Sequence, residues 1–389
     1  MKRITNDDGI KLQRAMLLTT GMWPKQFPNR KYRIWNTFNY ILAFLMFTCL
    51  LRTFFILKDF SSLVQNWNIF ITFAGFCIKI SIVYLKRSKF LKLLDFMNNK
   101  IFESHDFNLN KHMNHSINIS NSILRLFQFS AGFTLMCMFL HPLFEKKHRQ
   151  LPFEFCLDAT EDSVLFYVMW YVIQVAALSS AGCSTVGLDS VVCSMMGLVA
   201  AHFRILGETV SSTTNLNSTP NNSPLSYGES DEKINEKLSR CVELHLAIIN
   251  FAEFIDDIFS YCFLCQFLSS AFNMITMGFV FTITTPGSTE FILSFTFLSS
   301  TLIQISIFCA YGNEVIIESL KVHDACYMTE WTYCGPKVRK TLFFVMECAK
   351  RPVVLTAGKF VDLSLASLVS IFRAAVSYGT VLRQLYYSK

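Results

Sequence analysis

Tyr167, Tyr171 and Gln174 recur at spacings of four and three, so a helix carrying them shows two hydroxyls and one amide on a single face. Such groups can hydrogen-bond a neutral oxygen. They do not make a nucleophile, which needs a base within reach. The rest of the chain is equally poor in reactive constellations. It holds no phosphate-cradling glycine-rich loop, no H-E-x-x-H, no pair of C-x-x-C units and no G-x-S-x-G. The eight histidines are scattered, and His112 and His115 stand in a polar stretch without nearby cysteine or carboxylate ligands. No enzyme activity, metal site, cofactor or nucleic-acid partner is expected.

Ionisable groups inside apolar blocks are functional candidates because lipid makes them costly. Arg52 and Lys79 lie within one or two turns of a predicted helix end, where long side chains snorkel to the interface. Asp189 is expected where its helix has already left the lipid. Arg373, midway along the last block, must face protein or water, which sets that helix beside an aqueous path or a subunit contact. Most of the thirteen cysteines sit in apolar blocks or cytosolic segments and read as small buried hydrophobes. Cys137 and Cys156 are the one pair that could form an exterior disulfide, and no disulfide framework is inferred.

These residues must be positioned by helices in lipid. The 389 residues are 52% hydrophobic and only 16% charged, with a mean hydropathy of +0.37 and 39 phenylalanines. A soluble domain carries about a quarter charged residues. Here the apolar material comes in blocks of about twenty, the length that crosses about 30 Å of hydrocarbon as a helix. Seven blocks qualify: Ile34–Leu57, Leu63–Leu85, Ile123–Phe144, Val164–Ala201, Tyr261–Thr284, Phe291–Tyr311 and Val361–Leu385. The expected fold class is all-α, a seven-transmembrane-helix membrane protein. The fourth block would be ~57 Å long at 1.5 Å per residue, so it should continue past the membrane. None of the nine prolines interrupts a span. The polar, basic first 33 residues show no removable signal peptide, so the first span is expected to act as an uncleaved insertion signal.

Lysine and arginine set the orientation. With the N-terminus inside, the cytosolic segments hold 24 of them and the exterior segments 6. The N-terminus is therefore expected in the cytosol and the C-terminus outside. The N-x-S/T tripeptides at Asn114, Asn118, Asn217 and Asn221 then all fall on the cytosolic side, where they stay unmodified.

Residues 206–235, rich in Ser, Thr, Asn and Pro from 209 to 230, are expected to form a disordered cytosolic loop. Glu236–Phe259 then turns amphipathic, with Arg240, Glu243, Asn250, Glu253 and Asp257 at helical spacings. In Lys337–Arg351, basic ends bracket Leu342, Phe343, Val345 and Met346. Both apolar sides need a cover. A cytosolic bundle built with the extended fourth and sixth spans would supply one. For Lys337–Arg351 the alternative is a helix lying flat on an anionic leaflet.

The last sixty residues carry a resemblance. Arg351-Pro352, Leu355-Thr356-Ala357-Gly358-Lys359-Phe360, Leu363-Ser364-Leu365, Ser377-Tyr378 and Val381-Leu382-Arg383 resemble the C-terminal signature of insect odorant receptors. Tyr311-Gly312-Asn313-Glu314, Tyr327 with Trp331, and Pro152-Phe153 are similar to further stretches of that family. The resemblance implies an odorant-gated non-selective cation channel subunit in the plasma membrane of olfactory sensory neuron dendrites. Its partners would be the odorant receptor coreceptor, in a heterotetramer, a small hydrophobic volatile and membrane lipids. The coreceptor itself carries a longer fourth loop, so this chain looks like a tuning subunit. The alternatives are a gustatory-type channel subunit, against which Leu385 after Gln384 argues, and a G-protein-coupled receptor, which the charge bias opposes.

The resemblance also places sites. Residues 1–33 would be a cytosolic segment, 34–205 the first four spans with the ligand region, 236–357 the next two spans with anchor helices, and 358–389 the pore-lining helix and short exterior end. The family's ligand site falls on Trp67, Phe70, Phe133, Met136, Tyr167, Trp170, Tyr171, Gln174, Phe295 and Phe297. Its apolar gate falls on Val381 and Leu385, with Gln384 beside them. Arg383 adds a cation near the pore mouth.

Overall fold

The computed structural model describes residues 6–56, 60–102, 107–144, 151, 164–213 and 227–387. The chain runs α1 (Asn6–Thr19), α2 (Arg30–Ile56), α3 (Phe60–Leu85), α4 (Arg87–Met97), α5 (Phe107–Phe144), α6 (Val164–Thr213), α7 (Tyr227–Ile283), α8 (Thr289–Tyr327) and α9 (Pro336–Ala349). A small hairpin, β1 (Thr356–Ala357) and β2 (Val361–Asp362), then leads into α10 (Leu365–Tyr387). Among the described residues, seven helices are long and apolar enough to cross a membrane: α2, α3, α5, α6, α7, α8 and α10. The expected all-α, seven-span architecture is present.

Four of these helices outrun the bilayer. α6 has 50 residues and α7 has 57, about 75 and 85 Å at 1.5 Å per residue. α5 and α8, with 38 and 39 residues, reach nearly 60 Å. Their projecting ends pack together on one side, here called the extended side. α7 joins the expected amphipathic helix Glu236–Phe259 to the fifth span without a break.

Several boundaries depart from expectation. Residues 206–213 and 227–235, expected to be disordered, are the helical ends of α6 and α7. Positions 214–226, with Asn217 and Asn221, lie outside the described residues, as do Pro152, Phe153 and Cys156. Asn114, Asn118, His112 and His115 belong to α5 rather than to a loop. The last helix begins at Leu365, not Val361, because the chain first folds into the hairpin.

Two helices were not expected. α1 buries Ile10, Gln13 and Leu17, at spacings of three and four, against α6, where Asn6 meets His202 Nε2 at 3.1 Å. α4 buries Phe90, Leu93 and Met97, and Phe90 packs edge-on between Trp23 and Phe259.

Local chemistry explains the tight connections. Pro286 and Gly287, at φ +85°, turn the chain between α7 and α8, closed by Ser288 N donating to Thr285 O at 3.1 Å. Ser288 then caps α8 by accepting from Phe291 N. The β1–β2 hairpin turns through Gly358 and Lys359, both at positive φ. It is clamped to α7: Ser260 Oγ donates to Thr356 O and accepts from Lys359 N, and Asp256 accepts from Thr356 N.

Candidate functional site

Chemistry in an apolar bundle starts with its polar groups, because lipid cannot satisfy them. The most buried set joins four helices. Lys79 of α3 donates to both carboxylate oxygens of Asp189 on α6, at 2.8 and 3.0 Å, and to Gln266 Oε1 of α7 at 2.5 Å. Gln304 of α8 donates to Asp189 Oδ2 at 2.6 Å. The side chains of Lys79 and Asp189 are 3% and 4% exposed. This corrects the expectation that Lys79 snorkels, and it gives Asp189, expected where its helix has left the lipid, a buried partner. Lysine lies about 9 Å along α3 from its end, at 1.5 Å per residue, and finds its counter-ion inside the bundle instead. Helical spacing within one segment carries no sign of a partner 110 residues away.

Further from the extended side, a second polar seam ties α3 to α7. Asn273 Nδ2 donates to Thr72 Oγ1 at 3.1 Å, and the Thr276 hydroxyl donates to Asn68 Oδ1. α6 is held to α5 by the Tyr171 hydroxyl, which donates to Phe139 O at 2.6 Å, and to α2 by Ser180 donating to Asn39 Oδ1. Thr134 of α5 donates to Thr296 O of α8 at 3.1 Å.

These bonds sort the ten expected ligand residues. Tyr167, Trp170, Tyr171 and Gln174 continue the buried face of α6 that runs on through Ala177, Leu178 and Ala181. Gln174 is fully buried and the other three are half-buried at the open end of the helix. The Tyr171 hydroxyl is already committed as a donor to α5, which leaves its oxygen lone pairs for a ligand. Phe297 is half-buried beside the inward Ser294. Trp67 and Phe70 stack near one another, and Phe70 lies on Phe47 of α2.

Phe133 and Met136 go elsewhere. They belong to an exposed stripe with Leu126, Phe129 and Leu140, whereas α5 turns Phe127, Thr134 and Met138 inward. Phe295 is 56% exposed and sits by Phe281 of α7. The reason is the solvent: lipid accepts the most apolar face, and the face with the hydroxyl turns to protein. Thr134, Met138 and Ser294 are inward residues that sequence reasoning missed. The hydroxyls of Thr134 and Ser294, and for Met138 its spacing of four from Thr134, were the available signal.

The last helix differs from the others. Only 6% of its apolar stretch is buried within the chain, against 50% for α7. Ala375 is its one buried residue among those described. Val381 and Gln384 are exposed, Arg373 is exposed, and the side chain of Leu385 lies outside the described residues. Near the extended side, Phe343 and Phe344 of α9 are 54% and 63% exposed, while Val338, Leu342 and Val345 are buried against the chain's own core. Burial also raises the thiol pKa of Cys334 beside α9, as suits an inert packed cysteine. Among the described residues no cluster of His, Cys, Asp and Glu is arranged to hold a metal.

Comparison with known proteins agrees with this architecture. The family model described as 7tm odorant receptor matches residues 59–376. The chain is 24% identical to odorant receptor 13a of Drosophila melanogaster over 97% of its own length and 95% of the relative's. It is also 24% identical to odorant receptor 2a of the same fly, covering 95% and 94%. The structure of the olfactory receptor OR5 from Machilis hrabei in complex with eugenol superposes with a TM-score of 0.84 at 17% identity, over 97% of each chain.

Proposed function

Since the chain belongs to the 7tm odorant receptor family, we propose that it is the odorant-binding subunit of a ligand-gated cation channel completed by the odorant receptor coreceptor. It is a multi-pass membrane receptor, not an enzyme. In the proposed orientation the N-terminus and the extended side lie in the cytosol and the C-terminus lies outside, which the lysine and arginine bias supports. The membrane would be the plasma membrane of olfactory dendrites.

The observation that carries the reading is the bare last helix. A spanning helix with 6% of its apolar stretch buried, and with Arg373 exposed midway, needs neighbours other than its own chain. Four such helices around an axis would give each one an apolar partner and leave an aqueous path for the polar positions. Val381 and Leu385, four apart, would close that path by excluding water, with Gln384 at its side.

The ligand would enter from outside and rest against Tyr167, Trp170, Tyr171 and Gln174 of α6, Phe297 of α8 and the aromatic pair Trp67 and Phe70 of α3. Phe133, Met136 and Phe295 would contribute only through a rearrangement. Such a lining favours a small aromatic or ester-bearing volatile with one hydrogen-bonding oxygen, by burial at ~25 cal/mol per Å² of apolar area. The similar olfactory receptor OR5 was solved in complex with eugenol. Co-expressing the chain with the coreceptor and applying an ester, terpene and benzenoid panel tests the proposal: an odorant-evoked cation current that needs both subunits is expected.

A further inference from the structure

The ion pair of Lys79 and Asp189 is not explained by ligand binding or by the pore. A buried pair of this kind is seldom more stable than apolar side chains of the same volume. Ionisable groups at this depth usually have a task. The four members come from four different helices, and the division among them is informative. α3, α6 and α8 each carry residues of the proposed ligand region. α7 carries none; it clamps the β1–β2 hairpin through Asp256 and Ser260 and packs along α10, with Ile275 O beside Gly379.

Gln266 is therefore the member on the helix that packs most extensively along α10, which α8 touches less. It accepts from Lys79 through Oε1 and passes its own amide hydrogen to Ser270 one turn along α7, at 2.8 Å. All three ammonium hydrogens of Lys79 are in use, two on Asp189 and one on Gln266. α3 and α6 make little backbone contact with one another, so the pair is where they are pinned. A ligand that changes the spacing of α3 and α6 above the pin must tilt them about it, and Gln266 carries that tilt into α7.

We infer that Lys79, Asp189, Gln266 and Gln304 form a positioning junction through which occupancy of the ligand region is passed to α7 and from there to the last helix. The inference rests on the ligand-gated channel reading. It assigns these residues no contact with ligand or ion; they act by holding four helices in one relative arrangement. Fully satisfied buried networks suit such a role, because they tolerate few alternative geometries.

The test uses the full chain assembled with the coreceptor, with eugenol and the strongest agonist of the volatile panel as probes. Gln266→Met cuts the link to α7 and leaves the ion pair; Lys79→Met with Asp189→Leu removes both charges together. For each complex, odorant affinity is read from tryptophan fluorescence and current is normalised to surface channels. In Gln266→Met, maximal current should fall about fivefold or more while affinity changes less than about twofold, the range of typical coupling between sites. The double variant should do the same if it assembles. Wild-type current in Gln266→Met, a parallel loss of affinity, or failure of that variant to assemble would each overturn the inference. A wild-type complex that binds odorant but passes no current would overturn the channel reading, and the inference with it.

Discussion

Lys79 Nζ sits 2.8 and 3.0 Å from the two carboxylate oxygens of Asp189, and both side chains are almost wholly buried among the helices. Removing one partner strands the other charge, at a cost of about 3–5 kcal/mol. Lys79→Met and Asp189→Asn should each lose most surface expression and lower the thermal midpoint of the detergent-solubilised protein. Lys79→Met combined with Asp189→Leu should recover much of that loss. Equal stability of all three single and double variants would show that the pair is not formed.

A glycine fixes the approach of α8 to the chain entering α10. A Cβ on Gly312 would collide with the backbone carbonyl and Cβ of Leu363. Gly312→Ala should destabilise the receptor by about 1–3 kcal/mol, because backbone rather than a flexible side chain must give way. Gly312 stands in the Tyr311–Glu314 stretch, where the close approach to Leu363 leaves no room for a side chain. The thermal midpoint of the purified variant is the readout, and an unchanged value would contradict this packing.

α9 separates two kinds of aromatic and aliphatic position. Val345 is buried inside the chain, whereas Phe343 and Phe344 face outward, Phe343 against Trp331. Val345→Asp should unfold the subunit, at a cost on the order of 4 kcal/mol for a buried unpaired charge. Phe344→Asp should leave the subunit folded and abolish copurification with the coreceptor. Intact copurification of a folded Phe344→Asp protein would favour a helix lying on the membrane surface.

The ligand region yields a paired comparison. Tyr171→Ala and Trp170→Ala should reorder the ranking of volatiles in the odorant panel, while Phe133→Ala, on the exposed stripe, should leave the ranking unchanged. Equal loss for every odorant in the α6 variants would indicate misfolding, since Tyr171 also bonds Phe139 O. A reordered ranking in Phe133→Ala alone would move the site to the outer face of α5.

Spans were legible because each is a block of apolar residues longer than a soluble core helix needs, and length alone separates them from loops. The inward face was less legible. On α5 the sequence offers Leu126, Phe129, Phe133, Met136 and Leu140 as its most apolar stripe, and in water that stripe would be the core. In lipid the preference inverts, and Thr134 marks the buried side. α4 carries Phe90, Leu93 and Met97 at helical spacing, but the basic residues among them mask that short apolar face. The β1–β2 hairpin has two residues per strand, too few for any period. Nothing local in Lys79 or Asp189 points to the other. Their pairing is a property of the fold.

The central claim is that this chain binds an odorant and opens a cation pore lined in part by its own last helix. The most direct measurement is odorant-evoked current from the chain with the coreceptor, comparing wild type with Val381→Ala for basal current, ion selectivity and pore block. The account predicts a non-selective cation current that requires both subunits and a change in at least one of those three properties in the variant. Odorant-evoked signals that persist without the coreceptor through a G protein, or a variant unchanged in all three, would contradict it.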